Sequence, residues 1–228
     1  MNMYSTYNIL NLPLELLCNI FATLSPQDLY QLRQTSRACA LLADHPTLWR
    51  STVLSSTSQP WSQLQLRRIL STNAKHIRHL RVYNVRDDSL RYILTACPNL
   101  RSLYIHGWST LSSHSIAGTS ILPYLEKITL ISSHHASLDA GSVVGLLKRA
   151  PGLQELHARC PTALRSQPFT SSLMASKLLI RLQSFEIYSD THWYDQEKRN
   201  LTKACARLSR CKFLYYREDA IKSNEQLI

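Results

Sequence analysis

Glycine is scarce in this chain of 228 residues, which has only five. That leaves little room for the glycine-rich loops that cradle phosphates, and neither an H-E-x-x-H nor a G-x-S-x-G sequence occurs. Direct catalysis by this chain is therefore not expected. Long apolar runs are missing too: no stretch approaches the roughly 18 residues that span a bilayer, and no N-terminal apolar region with a small-residue cleavage site is present. No membrane partner is expected, and the place of work is expected to be the cytoplasm or the nucleus.

Cysteines are present but unpaired in pattern. They stand at 18, 39, 97, 160, 205 and 211 without a C-x-x-C spacing. In a reducing compartment the expectation is buried thiols. A zinc site needs four ligands at short paired spacings, which His134, His135 and Cys160 do not supply. The expected metal and cofactor complement is none. The sequon Asn200-Leu201-Thr202 says little, because glycosylation requires a secreted chain.

Acidic residues are outnumbered, giving a formal charge of +11. The first 60 residues balance Arg33, Arg37 and Arg50 against Glu15, Asp28 and Asp44, so the whole excess lies beyond them. From Arg67 to Arg101, eight basic residues are opposed only by Asp87 and Asp88. Such a field attracts acidic or phosphorylated partners. Hydrophobic residues make up 44% of the chain, enough for a folded core in one elongated or two compact domains.

The most explicit local signals lie between Leu12 and Leu54. Pro13 suits the first position of a helix whose apolar side is Leu16, Leu17, Ile20, Phe21 and Leu24. Ser25, Pro26 and Asp28 spell the start of a second helix, with Leu29 and Leu32 on its buried side. A third, carrying Cys39 and Leu42, should end before Pro46, and Leu48 and Trp49 follow as apolar anchors.

At these positions the stretch resembles the F-box family. Leu12, Pro13, Glu15 and Leu16 look like its opening L-P-x-E-[LI]; Asp28, Leu29, Leu32 and Arg33 look like its D-L-x-x-[LA]-R; Ser36, Arg37, Leu42, Leu48 and Trp49 look like its closing S-[KR]…L…L-W. Cys39 departs from the tryptophan the family often carries there. The resemblance implies docking to the Skp adaptor, and through it to a cullin, by Leu12, Pro13, Glu15, Leu16, Ile20, Leu24, Leu29, Leu32, Leu48 and Trp49.

Beyond residue 60 a phrase L-x-x-L-x-L recurs. It reads Ile77-Leu80-Val82, Leu100-Leu103-Ile105, Leu125-Ile128-Leu130, Leu153-Leu156-Ala158, Leu182-Phe185-Ile187 and, more loosely, Leu208-Cys211-Phe213, at intervals of 23, 25, 28, 29 and 26 residues. Those intervals suit one strand and one helix per unit. Asp87 or Asp88 is expected to cap a helix bearing Leu90, Ile93 and Leu94 and stopped by Pro98; Asp139 is expected to open another with Val143, Val144 and Leu147, stopped by Pro151. Both run into a strand through similar words, A-C-P-N-L and R-A-P-G-L. Here the chain resembles the leucine-rich-repeat family, in the variety often found behind an F-box.

The expected architecture is α/β: a three-helix F-box over residues 8–54, a helical linker and cap over 55–76, a short curved solenoid with about six parallel strands over 77–216, and a tail over 217–228. Trp61, Leu64, Leu66, Ile69 and Leu70 are expected to seal the first unit, and Ala220, Ile221 and Leu227 the last.

Strand alternation turns phrase positions 3, 5 and 7 outward. Those columns hold His79, Arg81, Tyr83, Tyr104, His106, His157 and Arg159, the candidate residues for a protein target, acidic or phosphorylated, with Arg81, Tyr83, Tyr104 and His106 at the centre. The expected role is a non-catalytic substrate receptor of a ubiquitin ligase, in which a separate conjugating enzyme performs the chemistry. Two alternatives are an adaptor-bound scaffold outside the ligase and a basic nucleic-acid binder, the latter weakened by the lack of any recognisable nucleic-acid motif.

Overall fold

The structure, a computed structural model, describes residues 9–55, 59–108, 111–116, 120–132, 140–160, 171, 174, 181–189, 194–204, 207 and 209–215. Four short helices come first: α1 (Leu14–Phe21), α2 (Pro26–Arg33), α3 (Arg37–Ala43) and α4 (Pro46–Trp49). Strand β1 (Ser51–Leu54) and helix α5 (Gln63–Leu70) follow. The rest alternates as β2 (His79–Val85), α6 (Asp87–Ala96), β3 (Ser102–Trp108), β4 (Lys127–Ile131), α7 (Ala140–Arg149), β5 (Glu155–Cys160), β6 (Ser184–Ser189), α8 (Asp195–Ala204) and β7 (Arg210–Tyr215). Among the described residues there are seven strands, all parallel and side by side in chain order.

Local chemistry explains the helix starts. At α2 the expected signal is realised as a reciprocal cap: Ser25 Oγ accepts from the Asp28 N–H at 3.2 Å, and the Ser25 N–H donates back to Asp28 Oδ2 at 3.2 Å. Ser62 and Gln65 repeat the device at α5. Pro13 differs from expectation by one place. Its extended ψ of 145° makes it the residue before the helix, with its carbonyl accepting from the Leu16 and Leu17 N–H groups. The head also has four helices where three were expected, because Pro46 ends nothing further: after α3 has closed at Ala43 it occupies the first turn of α4.

Neither Asp87 nor Asp88 caps α6 in the expected way. Arg86 takes the capping place without a side-chain bond. Asp87 instead accepts from the Ser112 N–H at 3.1 Å and from its hydroxyl, tying α6 to the turn beyond β3. Asp139 and the tail over 217–228 lie outside the described residues.

The sheet has seven strands, one more than expected, because its first is contributed by the helical head. Ser51 pairs with His79 and Leu54 with Val82. That register puts Trp49, Thr52 and Leu54 level with Ile77, Leu80 and Val82, so the head ends in a disguised copy of the recurring phrase. Thr52 fits the buried place because its hydroxyl donates to the Trp49 carbonyl at 2.8 Å. Continuing across the ladder, Leu80, Leu103, Ile128, Leu156, Phe185 and Cys211 are all level.

One apolar core runs through head and sheet. Trp49, Ile77, Leu100, Leu125, Leu153 and Leu182 form one buried column; Leu54, Val82, Ile105, Leu130, Ala158 and Ile187 form another. Leu90, Ile93 and Leu94 of α6 and Val143, Leu146 and Leu147 of α7 cover the same side. Of the linker residues expected to seal the first unit, Trp61, Leu66, Ile69 and Leu70 are buried, whereas Leu64 faces solvent. Trp61 is the central wedge: its indole N–H donates to Leu54 O at 3.3 Å, its backbone N–H donates to Asn84 O at 3.1 Å, and its carbonyl accepts from the Ser89 hydroxyl.

Asn84 and Gly107 are next to each other near the ends of β2 and β3, and both have positive φ, 55° and 71°. The positive φ of Gly107 favours glycine there, and a Cβ, 2.8 Å from Asn84 Oδ1, would oblige the Asn84 side chain to move.

Trp49 is wholly buried and its indole N–H donates to Ala43 O at 2.7 Å. Trp49→Ala is expected to lower unfolding stability by about 3–5 kcal/mol. Urea denaturation of the full chain checks this, and a loss below about 1 kcal/mol would refute the shared core.

Candidate functional site: two interaction surfaces

The helical head carries one face that a monomer leaves in water. Leu12, Leu14, Leu16 and Ile20 are 39%, 48%, 49% and 40% exposed, although α1 also buries Leu17 and Phe21 on its other side. The cause is the composition of α1, LELLCNIF, which is apolar around most of its circumference while only one stripe has a core to meet. Pro13 and Glu15 lie exposed in the same segment, and Leu24, Leu32 and Leu48 are half-buried against the core. Leu29 and Trp49, expected to touch the adaptor, are buried and so shape the exposed face from behind. Leu41, 71% exposed on α3, is a further apolar residue on the head, outside the expected set. A helical segment with too many leucines for one buried stripe was the available signal.

Side-chain bonds tie the head to the start of the sheet. Arg33 Nε lies 3.0 Å from Asp44 Oδ1, and the same oxygen accepts from the buried Asn73 amide at 2.7 Å. Arg33 also donates to the Thr72 hydroxyl at 3.1 Å. These bonds orient α2 and α3 against the turn that leads into β2.

The second surface is the open side of the sheet. Register places Arg81 beside Tyr104 and Tyr83 beside His106. The rings of Tyr83 and Tyr104 are 5.9 Å apart, Tyr83 and His106 5.4 Å, and Tyr104 and His106 6.5 Å and nearly coplanar in orientation at 4°. The Arg81 guanidinium lies 5.9 Å from the Tyr104 ring centre. The four residues expected at the centre of a patch are thus brought together, as two half-buried tyrosines with the exposed His106 and a cation beside them. Partial burial, reinforced by Tyr83, pushes the Tyr104 hydroxyl up against the pull of Arg81 and Arg159, so it stays a neutral donor. Burial, and then the positive charge of Arg159, holds His106 below its ordinary value.

The other three candidates are placed differently. His79 is exposed at the start of β2. Arg159 is exposed on β5, close enough for its charge to act on Tyr104 and His106. His157 is drawn into an internal mesh: its Nδ1 is 3.1 Å from Glu186 Oε2 and its Nε2 3.4 Å from Glu155. Glu155 in turn meets Lys127 at 2.6 Å, and that hydrogen bond leads the effects holding its carboxyl below the usual carboxylate range. Glu186 is the hub, with Arg210 at 2.9 Å and Lys212 at 3.8 Å, and is 8% exposed despite its outward position. Glu186 was legible as a hub from the columns alone, since His157 and Lys212 flank it on adjacent strands.

A family model described as F-box-like matches residues 9–55. The head is an F-box-like domain. No curated protein matches the chain. The F-box-like domain accounts for α1 to α4 and β1, so its last residues are at once the end of the head and the first strand of the sheet. F-box domains typically bind Skp adaptors, and the exposed Leu12, Leu14, Leu16 and Ile20 lie inside the matched residues.

Because the fold favours neutral His106, its contribution to stability is complete above the unfolded imidazole value, about 6.5, and is lost as pH falls from there through the lowered folded value. NMR titration of the ring is expected to give a midpoint below 6.5, moving upward in Arg159→Gln. A midpoint at or above 6.5, or one indifferent to Arg159, would refute this geometry.

Proposed function

We propose that this chain is a non-catalytic substrate receptor of a Skp, cullin and F-box ubiquitin ligase, working in the cytoplasm or nucleus. The F-box-like domain docks the Skp adaptor, which connects it to a cullin, and the open sheet face holds a target protein, acidic or phosphorylated. The observation that carries the reading is the exposed apolar face of α1 and the segment before it, within a matched F-box-like domain. An apolar face of that kind, rimmed by polar residues, marks an interaction site more readily than a free surface.

We also infer that the units behind the head are leucine-rich repeats. The support is the in-register recurrence of one phrase on six successive strands, at the spacing such units use. The receptor's contribution to catalysis is positional: holding a target within reach of a conjugating enzyme raises its effective concentration there.

Affinity capture separates the two surfaces. Leu16→Ala/Ile20→Ala is expected to lose adaptor binding at least about tenfold, or 1.4 kcal/mol, while retaining targets. Alanine at Arg81, Tyr83, Tyr104 and His106 together is expected to lose targets and retain adaptor. Equal adaptor recovery from the first variant would overturn the docking assignment, and unchanged target capture by the second, with an intact fold, would dismiss the patch.

A further inference from the structure

Arg50, Arg78 and Arg101 stand immediately before β1, β2 and β3. Because Ser51, His79 and Ser102 are level across the ladder, the three arginines start adjacent strands, which run roughly 4.8 Å apart. Their backbone is locked: Arg50 O accepts from the Arg78 and His79 N–H groups at 3.0 and 2.9 Å, and Arg78 O from those of Arg101 and Ser102 at 2.7 and 3.0 Å. Further along the same edge the column continues as Glu126, Gln154, Gln183 and Ser209, so this positive row is confined to the starts of the first three strands, β1 to β3.

A fourth cation, Lys75, comes from the turn before β2, and the Asn99 amide fixes its carbonyl at 2.7 Å. Together with Tyr124 these residues line a groove of about 440 Å³. Among the described residues only Glu126 comes within ion-pairing reach of the four cations, 3.9 Å from Arg101, with both side chains about half exposed. Such a pair is weakly coupled, so most of the positive field is uncompensated by those residues.

We propose that this groove is an anion site for a phosphoryl group. One carboxylate, with a single charge and two acceptor oxygens, is satisfied by one guanidinium fork. A phosphate monoester carries about −1.5 to −2 charges and three terminal oxygens, and so uses several cations at once. Guanidinium groups suit it because each presents paired donors in a rigid plane. The backbone locking of Arg50 and Arg78 reduces the ordering that binding requires. A phosphorylated side chain of a protein and a free phosphate compound share this chemistry. The inference stands apart from the adaptor reading, since the chain alone suffices to test it.

The full chain is titrated by calorimetry with inorganic phosphate, pyrophosphate, and a phosphoserine peptide beside its unphosphorylated twin, at low and moderate salt. Saturable binding of phosphate-bearing probes is expected, weakening with salt and falling at least tenfold in Arg78→Gln/Arg101→Gln, while Arg199→Gln on α8 leaves it unchanged. Circular-dichroism melting checks that the variants fold, and Lys75→Gln is the substitute should the double variant not. A phosphopeptide binding at least tenfold more tightly than the inorganic probes assigns a protein-borne group; otherwise a free phosphate compound is the source. No saturable binding by any probe, equal affinity for the peptide twins with none for the inorganic probes, or unchanged affinity in the double variant overturns the proposal. Single-stranded RNA is titrated alongside, and binding seen only with it and not competed by phosphate also overturns the proposal.

Discussion

The stacking of buried columns across the parallel ladder is the constraint on which the other features rest. One strand with one helix cannot cover its own apolar side, so each unit depends on the next, and stability accumulates at the interfaces between neighbours. The end of such a stack is its weak point, because an uncovered first unit would expose Ile77, Leu80 and Val82. Here the F-box-like domain supplies the cover from its own chain: Trp49 and Leu54 continue the buried columns, and Trp61 locks the junction. Head and sheet are therefore one hydrophobic object, and the helix that leaves leucines exposed is held at a fixed attitude to the sheet face.

That coupling gives a division of labour a physical basis. Residues that point into the columns are spent on stability, and what remains for recognition is what the geometry leaves outside: the apolar stripe of α1 and the outward strand positions. The two outward regions differ in character. The aromatic floor with Arg81 on β2 and β3 has rings and a cation available for contact. The mesh around Glu186, reaching from β4 to β7, is engaged internally by ion pairs, with acid and base side chains meeting one another. A target would find more unspent interaction energy at the first than at the second.

Much of this was legible in the sequence where local chemistry and period agree. Ser25-Pro26-x-Asp28 fixes a helix start whatever surrounds it, and six copies of one phrase align their strands without any need to know the helices. Failures arose where tertiary context decided the outcome. β1 was hidden because tryptophan and threonine replace leucine in its phrase, and only the Thr52 hydroxyl bond makes the second of these tolerable in a core. Asp87 looked like a cap but found a better acceptor role toward Ser112 across a turn. Leu29 and Trp49 carry a family pattern, yet a motif does not say whether a leucine faces a partner or the interior. His157 looked available by alternation, and the approach of Glu186 and Glu155 leaves it half-buried and engaged.

The central claim is that the leucines of the first helix and its approach face an adaptor while the sheet face stays free for something else. Hydrogen exchange of the full chain, measured with and without purified Skp adaptor, tests it most directly. The account predicts slowed exchange concentrated in residues 12–24, with residues 79–83 and 102–106 unaltered. Unchanged exchange in residues 12–24, or protection appearing in those two strands instead, would contradict it.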